Sequence, residues 1–216
     1  MSFDVLAPHY TWMEAVLAGG RLQRCRLAWL EALENSERIL IVGVGHGHFL
    51  RRCAERHPRS RLVAVDASAG MLRQAERRAR RAGVEPARLE FVHARLPDWA
   101  PRAEEFDAIV THFFLDCFAP PELERVVAAL ARGARPRAKW LVADFALPPA
   151  GWARRRARAV HALMYGFFRP VTGIPARRWT EPDPQLRAHG FALAGRRPSE
   201  WGLLRSDLWQ RGKLRM

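Results

Sequence analysis

Ile39-Leu40-Ile41-Val42-Gly43-Val44-Gly45-His46-Gly47-His48-Phe49 is the stretch whose reading decides the fold. Four aliphatic residues run straight into three alternating glycines, and a helix-compatible segment, Leu50-Arg51-Arg52-Cys53-Ala54-Glu55-Arg56, follows. A run of this kind without polar alternation suits a strand buried on both faces, as in a parallel sheet covered by helices. Glycines at the strand exit permit a tight turn and let a ligand approach the backbone with no Cβ in the way. The spacing tells against a dinucleotide, whose turn reads G-x-G-x-x-G. Here Gly43-x-Gly45 is followed by Gly47, and His48 stands at the third dinucleotide position.

Leu62-Val63-Ala64-Val65-Asp66 reads as a second buried strand ending in an acid, 23 residues after Gly43 (66 minus 43). An acid there can grip ribose hydroxyls with a bidentate carboxylate. On these residues the chain resembles the class I S-adenosylmethionine-dependent methyltransferases. Asp66-Ala67-Ser68-Ala69-Gly70-Met71-Leu72 is similar to the D-x-S-x-x-M-L run of the branch containing ubiquinone and menaquinone C-methyltransferases. The resemblance covers roughly residues 3–210. It implies an α/β Rossmann-like fold: a seven-stranded, mostly parallel sheet with a C-terminal antiparallel hairpin and helices on both faces. The implied cofactor is S-adenosyl-L-methionine, with S-adenosyl-L-homocysteine as product.

With 216 residues the chain suits one well-buried α/β domain, with residues 1–36 as an N-terminal helical cap and 37–216 as the core. The formal charge is +14, and 34 of the 36 basic residues are arginine, since only Lys139 and Lys213 are lysine. So lopsided a ratio fits biased codon usage, or a face attracted to anionic membrane, nucleic acid or an acidic substrate. Cys25, Cys53 and Cys117 lack metal-ligand spacing and suit a reducing cytoplasm. The N-terminus, with Asp4 and Glu14, lacks a basic-then-apolar leader, and no apolar run approaches the ~18 residues of a spanning helix. A cytoplasmic protein, with peripheral contact to anionic membrane as an option, is the expectation.

In chain order, helices are expected over 50–56, over 68–82 (Ser68 as N-cap, Gly83 as stop), from Pro120-Pro121, and over 152–169. Further strands are expected over 89–93, within 107–118 (the fourth strand and its exit), over 139–145, 191–196 and 203–209, the last two pairing at the sheet edge. Gly133-Ala134-Arg135-Pro136 reads as a breaker before the fifth strand, and Pro198-Ser199-Glu200 as a turn.

The resemblance assigns Gly43, Val44, Gly45, His46, Gly47 and Asp66 to the methionine and ribose parts of the cofactor. It assigns Ala67, Met71, Ala94, Arg95 and Leu96 to the adenine and makes Tyr10 a lid residue or a tyrosine packing the cap; the reversal of strand order between strands one and four sets Thr111 to Phe118 on the same crevice. His46 is placed at the carboxylate end and His48 outward. Two positions depart from the family pattern: Ile41 and Arg95 stand where relatives carry acids. Methyl transfer from a sulfonium depends mainly on alignment and exclusion of water, and a base is needed only if the acceptor loses a proton. His112 and Asp116, just after the fourth strand, are the candidates for that base; otherwise they bond a loop carbonyl and cap a turn. His46, His48, His93 and His112 lack supporting Cys or carboxylate spacing, so no metal is expected.

The helix over 152–169 has a basic first half (Arg154, Arg155, Arg156, Arg158) and an apolar second half. It suits a membrane surface, a roof over an apolar acceptor, or plain packing with arginines in water. The expected activity is methyl transfer to a small, apolar or lipid-like acceptor. The alternatives are a catalytically silent nucleotide-binding domain and an RNA or protein methyltransferase. Nucleic acid ranks lower because the fourth-strand exit lacks an N-P-P-Y-like or Cys-centred motif.

Overall fold

A computed structural model describes residues 20–172 and 179–212. Seven strands form one sheet: β1 (Arg38–Val42), β2 (Arg61–Asp66), β3 (Leu89–His93), β4 (Phe106–His112), β5 (Ala134–Phe145), β6 (Phe191–Ser199) and β7 (Leu204–Arg211). Their order is β3-β2-β1-β4-β5-β7-β6. The first five neighbours are parallel, while β7 runs antiparallel between β5 and β6. Strand order therefore reverses at β1, between β2 and β4, and opens a crevice at the carboxyl ends of those strands.

The unalternated run in β1 is buried on both sides. Leu40 and Val42 pack with Val63, Val65, Ile109 and Trp140 on one face; Ile39 and Ile41 pack with Leu62, Ala64, Ala108 and Val110 on the other. Helices α2 (His48–Arg56) and α3 (Ala69–Arg81) cover the second face through Phe49, Leu50, Leu72 and Ala75. Helix α4 (Pro120–Arg132) covers the first through Leu123, Val126, Val127 and Leu130. Helix α1 (Arg21–Leu27) precedes β1, while α5 (Gly151–Thr172) and α6 (Asp183–Ala188) follow β5. Ser68 caps α3 as expected, its Oγ accepting from the Met71 N–H at 3.1 Å, and Gly83 ends it at φ 73°.

Two boundaries differ from expectation. β5 begins at Ala134, inside the supposed breaker, because pairing jumps from Phe106↔Ala134 to Ala108↔Lys139. The residues between bulge out of the ladder, with Arg137 at φ 64°, so Pro136 forfeits no pairing N–H. β6 likewise runs through Pro198 to Ser199, which an edge strand tolerates. The turn falls instead on Glu200–Gly202, where Glu200, Trp201 and Gly202 all have positive φ. The hairpin is tied to α6 by Arg196, whose Nη2 donates to Asp183 Oδ2 and Asp207 Oδ2, both at 2.8 Å.

Helices α2 and α3 meet at Gly47, which caps α2 at φ 80°; a Cβ there would lie 2.5 Å from Ala75 Cα. Backbone strain and overlap add, so Gly47→Ala should cost about 2–4 kcal/mol. The measurement is the urea midpoint at constant m-value. A change within ~0.5 kcal/mol would contradict the close approach.

Candidate active site

The crevice at the switch point is lined by the loop after β1, the ends of β2 and β4, the start of α3, the loop after β3, and α1. Its shape rests on Asp66. One carboxylate oxygen, Oδ2, accepts from the Gly45 N–H at 3.0 Å; Oδ1 accepts from the Ser68 N–H at 2.9 Å. The Gly43 and Val44 N–H groups also donate to Val65 O, at 2.9 and 3.4 Å, so three consecutive residues of the glycine loop hang on β2. A carboxylate offers about four lone-pair sites across its two oxygens and accepts hydroxyl donors as readily as N–H groups.

The three glycines do different work, although the sequence presents them alike. A Cβ at Gly43 would lie 2.7 Å from Phe114 Cδ2, so its bareness accommodates an aromatic ring of the protein itself. Gly47 accommodates α3. Only at Gly45 (φ 54°) would a Cβ meet nothing within 4 Å, and there the backbone lies open to a ligand. Ile41, where relatives carry an acid, is buried against the α2 and α3 side. The carboxylate that orders the loop here is the one on Asp66.

Gly43, Val44, Gly45, His46, Asp66, Ala67, Met71, Ala94, Arg95, Leu96 and His112 all line this one crevice. His46 is buried, and burial first, then Arg26, Arg78 and His48, bring its imidazole down to about 3. It is thus a neutral group, not a cation, at neutral pH. Its backbone carbonyl accepts from Arg78 Nη1. His48, expected to face outward, also lines the crevice, with its ring 4.9 Å from that of His46. His93 instead sits outside, Nε2 against the Ala67 carbonyl at 3.1 Å. Among the described residues no group of three or more His, Cys, Asp or Glu could hold a metal ion. Tyr10 lies outside the described residues.

Besides Gly47, which packs on α3 and is not part of the lining, two expected residues do not reach the crevice. Thr111 is fully buried, and its Oγ1 accepts from Trp140 Nε1 at 2.9 Å. It points to the α4 side of β4, whereas His112 points the other way and meets Phe49 edge-on at 4.5 Å. Asp116 is buried in the short turn Leu115–Cys117, its N–H donating to Asp144 Oδ2 at 3.3 Å and its Oδ1 accepting from Cys117 Sγ at 3.6 Å. Burial raises the Asp116 carboxyl to about 6 and holds Asp144 well above the usual range. They form a structural acid pair behind the wall, and the base role for Asp116 is not supported.

His112 remains. Burial, then the charge of Arg26, holds its imidazole well below 6.5, so it is neutral near pH 7. Its Nδ1 is buried without a hydrogen-bond partner among the described residues. Phe113, Phe114, Cys117 and Phe118, from the stretch expected on the crevice, complete the wall together with Phe49 and Arg26, which were not expected there. Phe113, Phe114 and Phe118 closely follow β4, which was a usable signal. Arg26, whose guanidinium lies 4.9 Å from the centre of the Phe113 ring, had none, being one arginine among many in α1.

A family profile described as "Methyltransferase domain" matches residues 39–137, which span β1 to the start of β5. The demethylmenaquinone methyltransferase of Thermus thermophilus is 32% identical over 205 residues, covering 89% of this chain and 90% of that one. This chain is a class I S-adenosylmethionine-dependent methyltransferase. The ubiquinone/menaquinone biosynthesis C-methyltransferase UbiE of Syntrophotalea carbinolica is 31% identical over 150 residues, covering 68% and 60% of the two chains. Magnesium protoporphyrin IX methyltransferase from Synechocystis, solved with S-adenosylhomocysteine bound, has the same fold (TM-score 0.64, 18% identity, 90% of this chain and 84% of that one). The methyl donor of this methyltransferase is therefore S-adenosylmethionine. The open backbone at Gly45 beside the Asp66 carboxylate suits it.

Two variants separate the ligand-binding from the structural residues. Asp66→Ala, which removes the carboxylate, should weaken S-adenosylhomocysteine binding by roughly 100-fold or more, since hydrogen bonds to a charged group contribute ~1.5–3 kcal/mol each. Calorimetry reads it directly, and an unchanged affinity would contradict the site. Thr111→Val should leave that affinity unchanged while lowering unfolding stability by about 1–3 kcal/mol, because the buried Trp140 N–H loses its acceptor.

Proposed function

We propose that this methyltransferase acts on an apolar, hydroxylated ring of the quinol class. The observation carrying the reading is the acceptor wall, in which Phe49, Phe113, Phe114 and Phe118 surround a neutral histidine. An aromatic lining favours a flat apolar ring over a charged or peptidic acceptor. The demethylmenaquinone methyltransferase relative supports the same class.

In this reading Asp66 takes the ribose hydroxyls, and Gly45 gives the backbone room beside them. Ala67, Met71, Ala94 and Leu96 enclose the adenine, with Arg95 across its exposed side. When bound, the cofactor supplies an electrophilic methyl group on a sulfonium. The chain's part is to hold the acceptor in line with that methyl and to keep water out. His112 accepts the proton that the ring gives up as the new carbon–carbon bond forms; the pair of electrons from the broken carbon–sulfur bond stays on sulfur. A neutral imidazole with an unpartnered nitrogen suits that step.

The test is turnover with a reduced demethylmenaquinone analogue and S-adenosylmethionine. His112→Asn should lower kcat by about 10²–10⁴, the usual contribution of a positioned base, while S-adenosylhomocysteine still binds. In the wild type the acid limb of kcat should fall well below pH 6.5, because the folded imidazole stays neutral there. Full activity in His112→Asn removes the base. Cofactor binding without methylation of any quinol or phenol favours a catalytically silent domain.

A further inference from the structure

Trp152, Trp201 and Leu163, exposed by 56%, 63% and 78%, are the exposed large hydrophobic residues among those described. They are not scattered. The rings of Trp152 and Trp201 meet edge-on at 5.9 Å, which places the β6–β7 turn against the start of α5. Leu163 lies eleven residues beyond Trp152, three helical turns on and roughly 20° round the axis. Ala159 falls between them on the same line, so α5 presents an apolar ridge about 16 Å long. The opposite face of the helix, with Ala157 and His161, is buried in the protein.

The ridge has a charged border of one sign. The first half of α5 carries Arg154, Arg155, Arg156 and Arg158, and the helix contains no acid. Arg156 stacks over Trp201 at 5.0 Å, and Arg154 donates to the carbonyls of Pro148 and Pro149. Arg155 and Arg158 are exposed and make no ion pair among the described residues. Glu200 in the adjoining turn is occupied by Arg21, with Nε–Oε2 at 3.3 Å. Trp201 holds its outward position with a left-handed backbone, φ 56° and ψ 35°.

We propose that this face docks on an anionic lipid bilayer, with Trp152, Trp201 and Leu163 entering the headgroup boundary and the arginines resting on lipid phosphates. An apolar ridge bordered by cations is the form of an interface-lying helix, and indole rings favour that depth. No helix among the described residues is long and apolar enough to cross a membrane, so the contact is peripheral. A second copy would set two strongly cationic faces of a +14 chain against each other. A nucleic acid would use the arginines and indoles but has no use for Leu163 and Ala159. The bilayer uses all of them. His161, on the inner side of α5, contacts Phe145, which contacts the crevice residue Phe113, so the docked face backs onto the acceptor wall.

Vesicle co-sedimentation tests the proposal without reference to the acceptor. Vesicles of phosphatidylcholine with phosphatidylglycerol should retain the protein, phosphatidylcholine alone should not, and salt should release it. Arg155→Ser with Arg158→Ser should lower partitioning roughly 25-fold, at about fivefold per arginine. Trp152→Ser with Trp201→Ser should lower it further than the loss of charge predicts, since no charge is removed. Leu163→Ser alone, at a largely solvated position, should also weaken binding with the fold intact. All variants should bind S-adenosylhomocysteine normally. Equal recovery on neutral and anionic vesicles, or tryptophan and Leu163 variants that sediment like wild type, would overturn the proposal. So would capture by single-stranded RNA but not vesicles, or a change of oligomeric mass in the tryptophan variant without vesicle binding.

Discussion

One carboxylate joins the sheet to the crevice. Asp66, the last residue of β2, accepts from Gly45 at 3.0 Å and from Ser68 at 2.9 Å, so the turn after β1 and the start of α3 both take their positions from it. Charge-assisted bonds of this kind are short and about twice as strong as neutral ones. The position of Asp66 is itself fixed by the parallel register, in which Val42 lies opposite Val65 and Asp66 opposite His93. In the wider family an acid at the Ile41 position orders the glycine loop. Here that residue is aliphatic and buried, and the acid one strand over holds the loop instead.

The crevice consequently has two unlike halves. The Asp66 side offers open backbone and lone pairs, as a nucleoside requires. The β4 side offers phenylalanine rings, a neutral histidine and the partly stacked cation of Arg26. Behind that wall burial, and for Asp144 also the neighbouring Asp116, raises the carboxyls of the pair above the usual range. The ring contacts from Phe113 to Phe145 (5.3 Å), to His161 (5.9 Å) and on to Trp179 (6.4 Å) run from that wall to the underside of α5.

Much of this was legible in the sequence, for identifiable reasons. A buried parallel strand leaves an uninterrupted aliphatic run, a ligand-facing turn leaves glycines, and a capped helix leaves Ser68 before Met71. What failed to read had equally definite causes. Pro136 looks like a breaker because nothing local announces the bulge that spares it a ladder bond. Thr111 and His112 could not be told apart because a strand buried on both faces has no polar alternation to say which side is which. Asp116 stands one turn too far on, where the chain has already dived behind the wall. Arg26 is invisible among so many arginines, and the separate tasks of Gly43, Gly45 and Gly47 depend on neighbours distant in sequence.

The central claim is that the carboxylate of Asp66, fixed by the glycine turn, receives the adenosyl group. A crystal structure with S-adenosylhomocysteine bound tests it most directly. The account predicts both ribose hydroxyls on Asp66 with the Gly45 and Ser68 contacts retained, and the sulfur facing His112 and Phe114. An adenosyl group seated elsewhere, or an Asp66 side chain turned away from the ribose, would contradict it.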